Sequence, residues 1–326
     1  MNPLAAIFGG AVAVRNALYD RRILKAHRLA RPVVSIGNLS VGGSGKTPFV
    51  IALGELLKER SIEFDVLSRG YGRLSKQIAV VDPQGDAEEF GDEPLLIARK
   101  LQIPVIVGAD RYQAGLMAEK KFTSRLHLLD DGFQHRRLYR DFDIAMLPAR
   151  DLQTGLLPTG RLREPLTAMR RADAVVVLES GVPAPTAAAR VWRVRRETTV
   201  DSQSTGSVVA FCGIAHPDQF FASLQTAGVK VLETVAFGDH HRYDQRDIDR
   251  LLQAKAKTGS AGLMTTEKDA VRLKQFLEAL QPLQIAELKL QIENAGQVME
   301  ELLVSLHDLS QPQGQPYSRA GESASS

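Results

Sequence analysis

The chain has 326 residues, of which 44% are apolar and 24% are charged, and its formal net charge is +3. This composition is that of a soluble globular protein, and the length allows two domains with their own cores. No apolar run approaches the roughly 20 residues that a bilayer-spanning helix needs. The single cysteine, Cys212, excludes an internal disulfide and indicates a reducing compartment.

The excess positive charge lies at the start of the chain. The first 31 residues contain six of the 41 Lys and Arg residues but only one of the 38 acids, Asp20, so the rest of the chain carries −2. The basic residues adjoin an apolar block, Leu4 to Val14. This pattern is typical of a helix lying in a membrane interface with its cations toward anionic lipid. A helix packed on the protein's own core is the alternative. The near-neutral remainder argues against nucleic-acid binding.

A glycine-rich turn follows, between an apolar run, Val33–Ile36, and an apolar-periodic segment, Phe49–Leu57. The order predicts a strand, a phosphate-binding loop and a helix, whose backbone N–H groups would wrap phosphates. Lys46 would reach the β- and γ-phosphates, and the Thr47 hydroxyl would hold Mg²⁺. We therefore predict nucleoside-triphosphate binding, although the general pattern has glycine at the first position. The loop consists of Ser40, Val41, Gly42, Gly43, Ser44, Gly45, Lys46 and Thr47.

Short apolar strands alternate with helical patterns over the next hundred residues. Such alternation indicates βαβ units and a mostly parallel sheet flanked by helices. The strands are predicted at Val33–Ile36, Phe64–Leu67, Ile78–Val81, Pro104–Val107, Leu126–Leu129, Phe142–Met146 and Ala174–Leu178, and the helices after the phosphate loop, at Asp92–Leu101 and at Asp110–Lys120.

Acidic residues lie at the end of one predicted strand and at the start of one predicted helix. Asp130 and Asp131 follow the apolar strand Leu126–Leu129, where a nucleotide-binding fold places a carboxylate that positions Mg²⁺. An ordinary Asp-Gly turn is the alternative. Asp92 begins a predicted helix, where it could simply cap the helix. It could also accept the proton of an attacking hydroxyl, because ligands collect beyond the carboxyl ends of such strands.

A second, smaller α/β unit is predicted after residue 200, beyond a segment rich in Ser, Thr and Gln. Its polar loop, Asp239-His240-His241, could supply a base and its orienting group or could be merely solvated, whereas zinc binding is disfavoured because adjacent side chains diverge. The final residues, 310–326, have the composition of a disordered tail. The unit's elements are predicted at Val208–Cys212, Pro217–Thr226, Val229–Val235, Gln245–Lys257 and Gly262–Thr265.

Taken together, these segments resemble the tetraacyldisaccharide 4'-kinases, membrane-associated enzymes of lipid A biosynthesis. The resemblance extends from the N-terminal segment to about residue 305, and serine at position 40 is ordinary in that family. It rests on the ordered series Gly37–Pro48, Ser68–Arg73, Gly91–Pro94, Asp130–His135, Gly160–Pro165, Asp239–His241 and Thr266–Asp269.

The resemblance implies ATP-dependent phosphorylation of the 4'-hydroxyl of a tetraacyldisaccharide 1-phosphate, which gives lipid IV(A), at the cytoplasmic face of the inner membrane. It implies a catalytic pair of Asp92 and His240, with the adjacent His241 as the alternative partner of Asp92. It also implies a Mg²⁺ site of Thr47, Asp130, Asp131 and Glu164. ATP and the acylated disaccharide are the expected small-molecule partners, and no obligate protein partner is indicated.

The implied architecture is a nucleotide-binding α/β fold of the P-loop type with a second, smaller α/β domain. The expected boundaries are an interfacial helix in residues 1–30, the kinase domain in 31–200, the smaller domain in 201–309 and the tail in 310–326.

Two other nucleotide-dependent classes compete with a kinase. A membrane-associated partitioning ATPase would have a lysine early in the phosphate loop, where this chain has Val41. A regulatory GTPase would select guanine with Asn-Lys-x-Asp, and the nearest segment, Glu267–Asp269, has the wrong spacing. A kinase would turn over ATP only with its lipid acceptor, whereas a motor or a switch would hydrolyse nucleotide without it.

Overall fold

A computed structural model describes residues 3–178, 190–200 and 206–306 of the chain. These residues form one sheet of 12 strands, in the order β10-β9-β11-β12-β8-β7-β6-β1-β5-β2-β4-β3, flanked by helices. The first seven strands are Val33–Asn38 (β1), Phe64–Ser68 (β2), Ala79–Val80 (β3), Val105–Val107 (β4), Leu126–Asp130 (β5), Phe142–Leu147 (β6) and Ala174–Val177 (β7). The last five are Val191–Thr199 (β8), Val208–Cys212 (β9), Val231–Ala236 (β10), Gly262–Thr266 (β11) and Leu283–Ile292 (β12).

The sheet is mostly parallel, as the sequence predicted. β1 lies between β5 and β6 and is parallel to both, and antiparallel pairing occurs at β3 with β4 and at β8 with β12. The central strands carry apolar side chains on both faces because helices cover both sides. The carboxyl ends of β1, β2 and β5 therefore meet at one edge, where they place the phosphate loop, Ser68 and Asp130 together.

Nine α-helices lie among the described residues. α2 starts at Lys46, directly after the left-handed Gly45, and the Asp110 carboxylate caps α5 by accepting bonds from Tyr112 N and Gln113 N. The helices are Pro3–Asp20 (α1), Lys46–Glu59 (α2), Ala87–Phe90 (α3), Asp92–Leu101 (α4), Arg111–Lys121 (α5), Pro217–Thr226 (α6), Gln245–Thr258 (α7), Glu267–Arg272 (α8) and Ala295–Ser305 (α9).

The second half of the chain joins the sheet of the first half. β8 pairs in parallel with β7 and antiparallel with β12, so the sheet continues across residue 200. α9 contributes Val298, Met299 and Leu302 to the same buried core as Phe49 and Leu53 of α2. β8, β12 and α9 were not predicted from the sequence. The boundary near residue 200 stays a prediction, and residues 201–205 lie outside the described part.

The N-terminal helix α1 lies against the body without burying any of its residues. Leu4, Ile7 and Val14 are 60%, 69% and 62% exposed. Contacts near its C-terminal end hold it, since Asn16 O accepts a bond from Arg136 and Arg136 also pairs with Asp20. None of the helices in the described ranges has both the length and the apolar character needed to cross a bilayer. The predicted tail, 310–326, lies outside the described residues.

Candidate active site

The phosphate loop connects the end of β1 to the start of α2. Gly42 and Gly45 have φ values of +87° and +81°, in the left-handed region where a side chain would be strained. A Cβ at Gly45 would also come within 2.9 Å of the Leu178 Cδ2 atom. The glycines are therefore needed for the turn that directs backbone N–H groups and the α2 N-terminus into one concave loop.

Lys46 extends from this loop into a cluster of polar side chains. Its Nζ atom lies 3.0 Å from Asn38 Oδ1 and 3.4 Å from Asp131 Oδ1. Arg163 bonds both carboxylate oxygens of Asp131, at 3.0 and 3.1 Å, and donates to Asn38 Oδ1 at 2.7 Å. Burial works to raise the pKa of Asp131, but Lys46 and Arg163 outweigh it and hold the pKa below its ordinary value. Lys46 and Arg163 thus place two positive charges on Asp131 beside the loop.

Asp130 differs from its neighbour in lacking a cationic partner in direct contact. The Ser68 hydroxyl donates to Oδ2 at 3.0 Å, whereas Oδ1 is buried without a hydrogen-bond partner among the described residues. Burial, the charge of Glu93 and the charge of Asp131 raise the pKa of Asp130 to about 7. A buried carboxylate with a free oxygen fits an oxygen-preferring cation such as Mg²⁺.

Asp92 and His240 come together across the two halves of the chain. His240 Nδ1 lies 3.0 Å from Asp92 Oδ2, although 148 residues separate the two in sequence. His241 instead pairs with Asp247 at 2.8 Å, so the structure selects His240 as the partner of Asp92. Asp92 and His240 line a cleft of about 690 Å³, in which the Tyr71 ring lies 5.5 Å from the His240 ring.

The Asp92 carboxylate is surrounded by donors and does not cap its helix. Gly91 is the cap residue, and Asp92 Oδ1 accepts only the Glu93 N–H at 3.0 Å. Arg272 donates to Oδ2 from Nε at 3.0 Å and from Nη2 at 2.7 Å. Burial works to raise the pKa of Asp92, but the bond with His240 and the charge of Arg272 outweigh it, and the pKa lies far below its ordinary value. The same bond raises the pKa of His240.

Glu93 connects this pair electrostatically with the phosphate loop. It forms an ion pair with Lys268 of α8. Burial works to raise the pKa of Glu93, but Lys268 and, to a smaller degree, Lys46 lower it. The charge of Glu93 also raises the pKa of Asp130, so Glu93, which adjoins Asp92 in the chain, is electrostatically coupled to the paired acids.

Glu164 has different partners from the other predicted metal ligands. Its carboxylate accepts bonds from Arg171 at 2.7 and 3.2 Å and from Asn16 of α1 at 2.6 Å. No contact within the described ranges joins it to Thr47, Asp130 or Asp131. In the same ranges, no three His, Cys, Asp or Glu side chains gather as a ready-made metal site.

Sequence reasoning did not assign roles to Arg163 and Arg272. Arg163 stands in the basic loop 160–165, which was a signal, since a cation in such a loop can reach a carboxylate or phosphate. Arg272 stands three residues after the polar segment 265–269 and has no local pattern of its own. Its contact with Asp92 spans 180 residues, which no local sequence feature indicates.

The comparisons with known proteins agree with one another. A profile of the tetraacyldisaccharide-1-P 4'-kinase family matches residues 1–307. A tetraacyldisaccharide 4'-kinase of Koribacter versatilis is 49% identical over 314 residues, covering 93% of this chain and 98% of the relative. Another, from Aquifex aeolicus, is 39% identical over 296 residues, covering 84% and 89%. A crystal structure of the "apo" form of the Aquifex aeolicus enzyme in complex with ATP has a TM-score of 0.79 at 35% identity, covering 93% of this chain and 98% of that one.

Proposed function

The chain belongs to the tetraacyldisaccharide-1-P 4'-kinase family, and we propose that its phosphate loop and its Asp92–His240 pair carry out the reaction of that family. It is an ATP-dependent kinase that transfers the γ-phosphate to the 4'-hydroxyl of a tetraacyldisaccharide 1-phosphate, a step that forms lipid IV(A) in lipid A biosynthesis. The ATP-bound relative supports ATP as the phosphate donor.

The triphosphate lies in the loop formed by residues 40–47. The backbone N–H groups freed by Gly42, Gly43 and Gly45 hold the phosphate oxygens, and the N-terminus of α2 adds its positive dipole end. Lys46 and Arg163 provide positive charge where negative charge develops during transfer. Little covalent chemistry is required of the protein, because phosphoryl transfer depends mainly on positioning and charge neutralisation.

Mg²⁺ fits the acidic side of this loop. The free oxygen of Asp130 and the Thr47 hydroxyl would provide hard oxygen ligands of the kind that Mg²⁺ prefers. Asp131 is bonded by Arg163 and Lys46 in this conformation and would join them on exchanging one of those bonds for the ion. When bound, the ion would neutralise phosphate charge and orient the γ-phosphate. Glu164, the fourth ligand suggested by the family resemblance, is occupied by Arg171 and Asn16 in this conformation, so its participation would require those bonds to open.

His240 is the proton acceptor of the pair, and Asp92 orients it. Asp92 accepts four hydrogen bonds and has a strongly lowered pKa, so it is a poor base at neutral pH. His240 directs Nδ1 to Asp92, which leaves Nε2 for the sugar hydroxyl, and its ring is one-third exposed in the cleft. The raised pKa of the imidazole favours accepting a proton.

The cleft of about 690 Å³ beside this pair receives the disaccharide head of the substrate. The acyl chains stay in the bilayer, since exposing them to water costs about 0.8 kcal/mol per CH₂. α1 holds the protein on the cytoplasmic face of the inner membrane through exposed Leu4, Ile7 and Val14 and through basic Arg15, Arg21 and Arg22. In this arrangement a kinase domain, 31–200, provides Asp92, and a smaller domain, 201–309, provides His240.

The single observation that supports this scheme is the bond between Asp92 and His240, which joins the two halves of the chain in a cleft of about 690 Å³. The test is transfer of labelled phosphate from ATP to a tetraacylated disaccharide 1-phosphate. We expect His240→Ala and Lys46→Met to lower kcat at least 100-fold. His241→Ala is the matched control, because this neighbour bonds Asp247, and it should retain near-normal kcat. Equal activity of the two histidine variants would contradict the assignment.

A further inference from the structure

Arg272 is linked to both members of the Asp92–His240 pair: it bonds Asp92 directly and reaches His240 through the Gly213 carbonyl. Its Nε and Nη2 atoms donate to Asp92 Oδ2 at 3.0 and 2.7 Å. Its Nη1 atom donates to the Gly213 carbonyl at 2.8 Å, and that carbonyl also accepts the His240 backbone N–H at 3.1 Å. One planar guanidinium group therefore fixes the Asp92 side chain and the loop that carries His240 at the same time.

Arg272 is itself held in place by a buried carboxylate. Its Nη1 atom lies 3.0 Å from Asp269 Oδ1, which also accepts bonds from the Tyr243 hydroxyl at 2.8 Å and from Gly213 N at 3.0 Å. The side chains of Arg272 and Asp269 are 7% and 0% exposed. The guanidinium thus bonds three partners, Asp92, Asp269 and the Gly213 carbonyl, in a site shielded from water. Its geometry is therefore fixed before substrate binds.

The backbone at His240 makes this support necessary. His240 has a φ of 56°, in the left-handed region that a residue with a side chain rarely adopts. Such a conformation persists only where the surroundings impose it. The bond from His240 N to the Gly213 carbonyl is one such constraint, and Arg272 holds that carbonyl.

We propose that Arg272 is the positioning residue of this kinase, which sets the geometry of Asp92 and His240 together and thereby aims the His240 Nε2 atom into the cleft. The proposal rests on the proposed function, because it takes His240 as the proton acceptor. Arg272 does not touch the reacting atoms; it acts through Asp92 and through the Gly213 carbonyl.

Arg272 also places a positive charge close to His240. The charged groups that face His240 are Asp92 and Glu93 of α4, Asp239 of its own loop, and Arg272 of α8, and the Tyr71 ring packs beside it. Arg272 and His240 bond the same Asp92 oxygen and so lie at most about 6 Å apart. A cation at that distance disfavours the imidazolium and so opposes the bond with Asp92, which raises the pKa of His240.

The experiment measures kcat, KM and the pH profile of kcat/KM for two substitutions of Arg272 in the full-length enzyme. Arg272→Met removes both the positive charge and the paired N–H donors of the guanidinium. We expect a loss in kcat of roughly 10- to 100-fold with little change in the KM for ATP. We also expect the acid limb to move to higher pH, because Asp92 would then stabilise the imidazolium unopposed. Arg272→Lys keeps the positive charge but lacks the planar set of N–H donors, so kcat should fall while the acid limb stays in place.

Lys100→Met is the matched control for loosening the contact between α4 and α8. Lys100 lies at the far end of α4, where it pairs with Glu267 of α8 and lies 3.0 Å from Glu287. It has no contact with Asp92 or His240 in the described ranges, so kcat and the acid limb should match the wild type. A Lys100 variant that reproduces the Arg272→Met phenotype would overturn the proposal, as would an Arg272→Met enzyme with an unmoved acid limb.

The His240→Ala variant separates failure of this inference from failure of the proposed function. If His240→Ala is inactive and Arg272→Met is fully active, the role of Arg272 is refuted while His240 remains the base. If His240→Ala keeps wild-type activity, the base assignment fails and the positioning role fails with it. Fluorescence of the single buried tryptophan, Trp192, verifies folding, and Arg272→Lys serves as the test variant if Arg272→Met does not fold.

Discussion

A buried histidine on the central sheet should make the stability of this kinase fall at alkaline pH. His127 of β5 is fully buried, with Nδ1 at 2.8 Å from Asp65 of β2 and Nε2 at 3.4 Å from Glu119 of α5. Burial works to lower the pKa of His127, but the bonds to the two carboxylates outweigh it and raise the pKa to about 9. The imidazolium thus joins the two strands that end at Ser68 and Asp130.

The shift corresponds to a stability contribution of about 3 kcal/mol. The pKa rises from 6.5 in the unfolded chain to about 9, and each unit is equivalent to roughly 1.4 kcal/mol. Because the folded protein holds this proton more tightly, the contribution is complete below about pH 6.5. It declines as the pH rises toward 9 and is absent above that value.

The assay is urea unfolding at pH 6, 8 and 10, followed by Trp192 fluorescence, for the wild type and for His127→Gln. The glutamine amide can still donate to Asp65 but has no proton to lose in this range. The stability difference between the two proteins should shrink by about 3 kcal/mol from pH 6 to pH 10. Glu119→Gln removes only the longer contact and should remove a smaller part of the pH dependence. A constant difference between wild type and His127→Gln would refute the reasoning.

Three further predictions concern packing, metal and membrane. Gly37→Ala places a Cβ 2.7 Å from the Phe133 backbone nitrogen, so it should lower the free energy of unfolding in urea by about 1–3 kcal/mol. The control is Gly296→Ala in α9, whose Cβ meets no atom within 4 Å and which should leave the stability unchanged or raise it. Because the pKa of Asp130 is about 7, protonation of its carboxylate should weaken activation by Mg²⁺ up to tenfold for each pH unit below 7. If Asp130→Asn keeps the same pH dependence, a group other than Asp130 causes it. Ile7→Ser with Val14→Ser should reduce pelleting with anionic vesicles, and undiminished pelleting would exclude α1 as the anchor.

The sequence predicted those parts of the fold that local patterns determine. The helices Asp92–Leu101 and Pro217–Thr226 and the strand Val208–Cys212 begin and end where they were predicted. β8 and β12 were missed because polar or charged residues interrupt their apolar pattern and because each has a partly exposed face. Their pairing brings Glu287 opposite Thr199, a contact between distant segments that no local periodicity encodes.

The same distinction applies to the site. The loop of residues 40–47 could be read directly, since a strand, glycines, Lys-Thr and a helix follow one another in the chain. The pairing of Asp92 with His240 spans 148 residues and came only from resemblance to a family. Arg272 was missed because one arginine in a short helix carries no signal until the fold brings it to Asp92.

The charges around the phosphate loop indicate how the nucleotide is accepted. Four carboxylates and four cations of the described site are coupled to one another: Asp92, Glu93, Asp130, Asp131, Lys46, Arg163, Lys268 and Arg272. Arg150 and Arg161 in addition donate to carbonyl oxygens of the loop itself. Arg272 and Lys268 are already paired with Asp92 and Glu93, and Lys46 and Arg163 are both shared with Asp131. A triphosphate would thus add several negative charges next to Asp130, whose pKa is already raised by its acidic neighbours. An additional cation at Asp130 would relieve both charges at once, so the proposed Mg²⁺ should enter together with ATP rather than occupy the site beforehand.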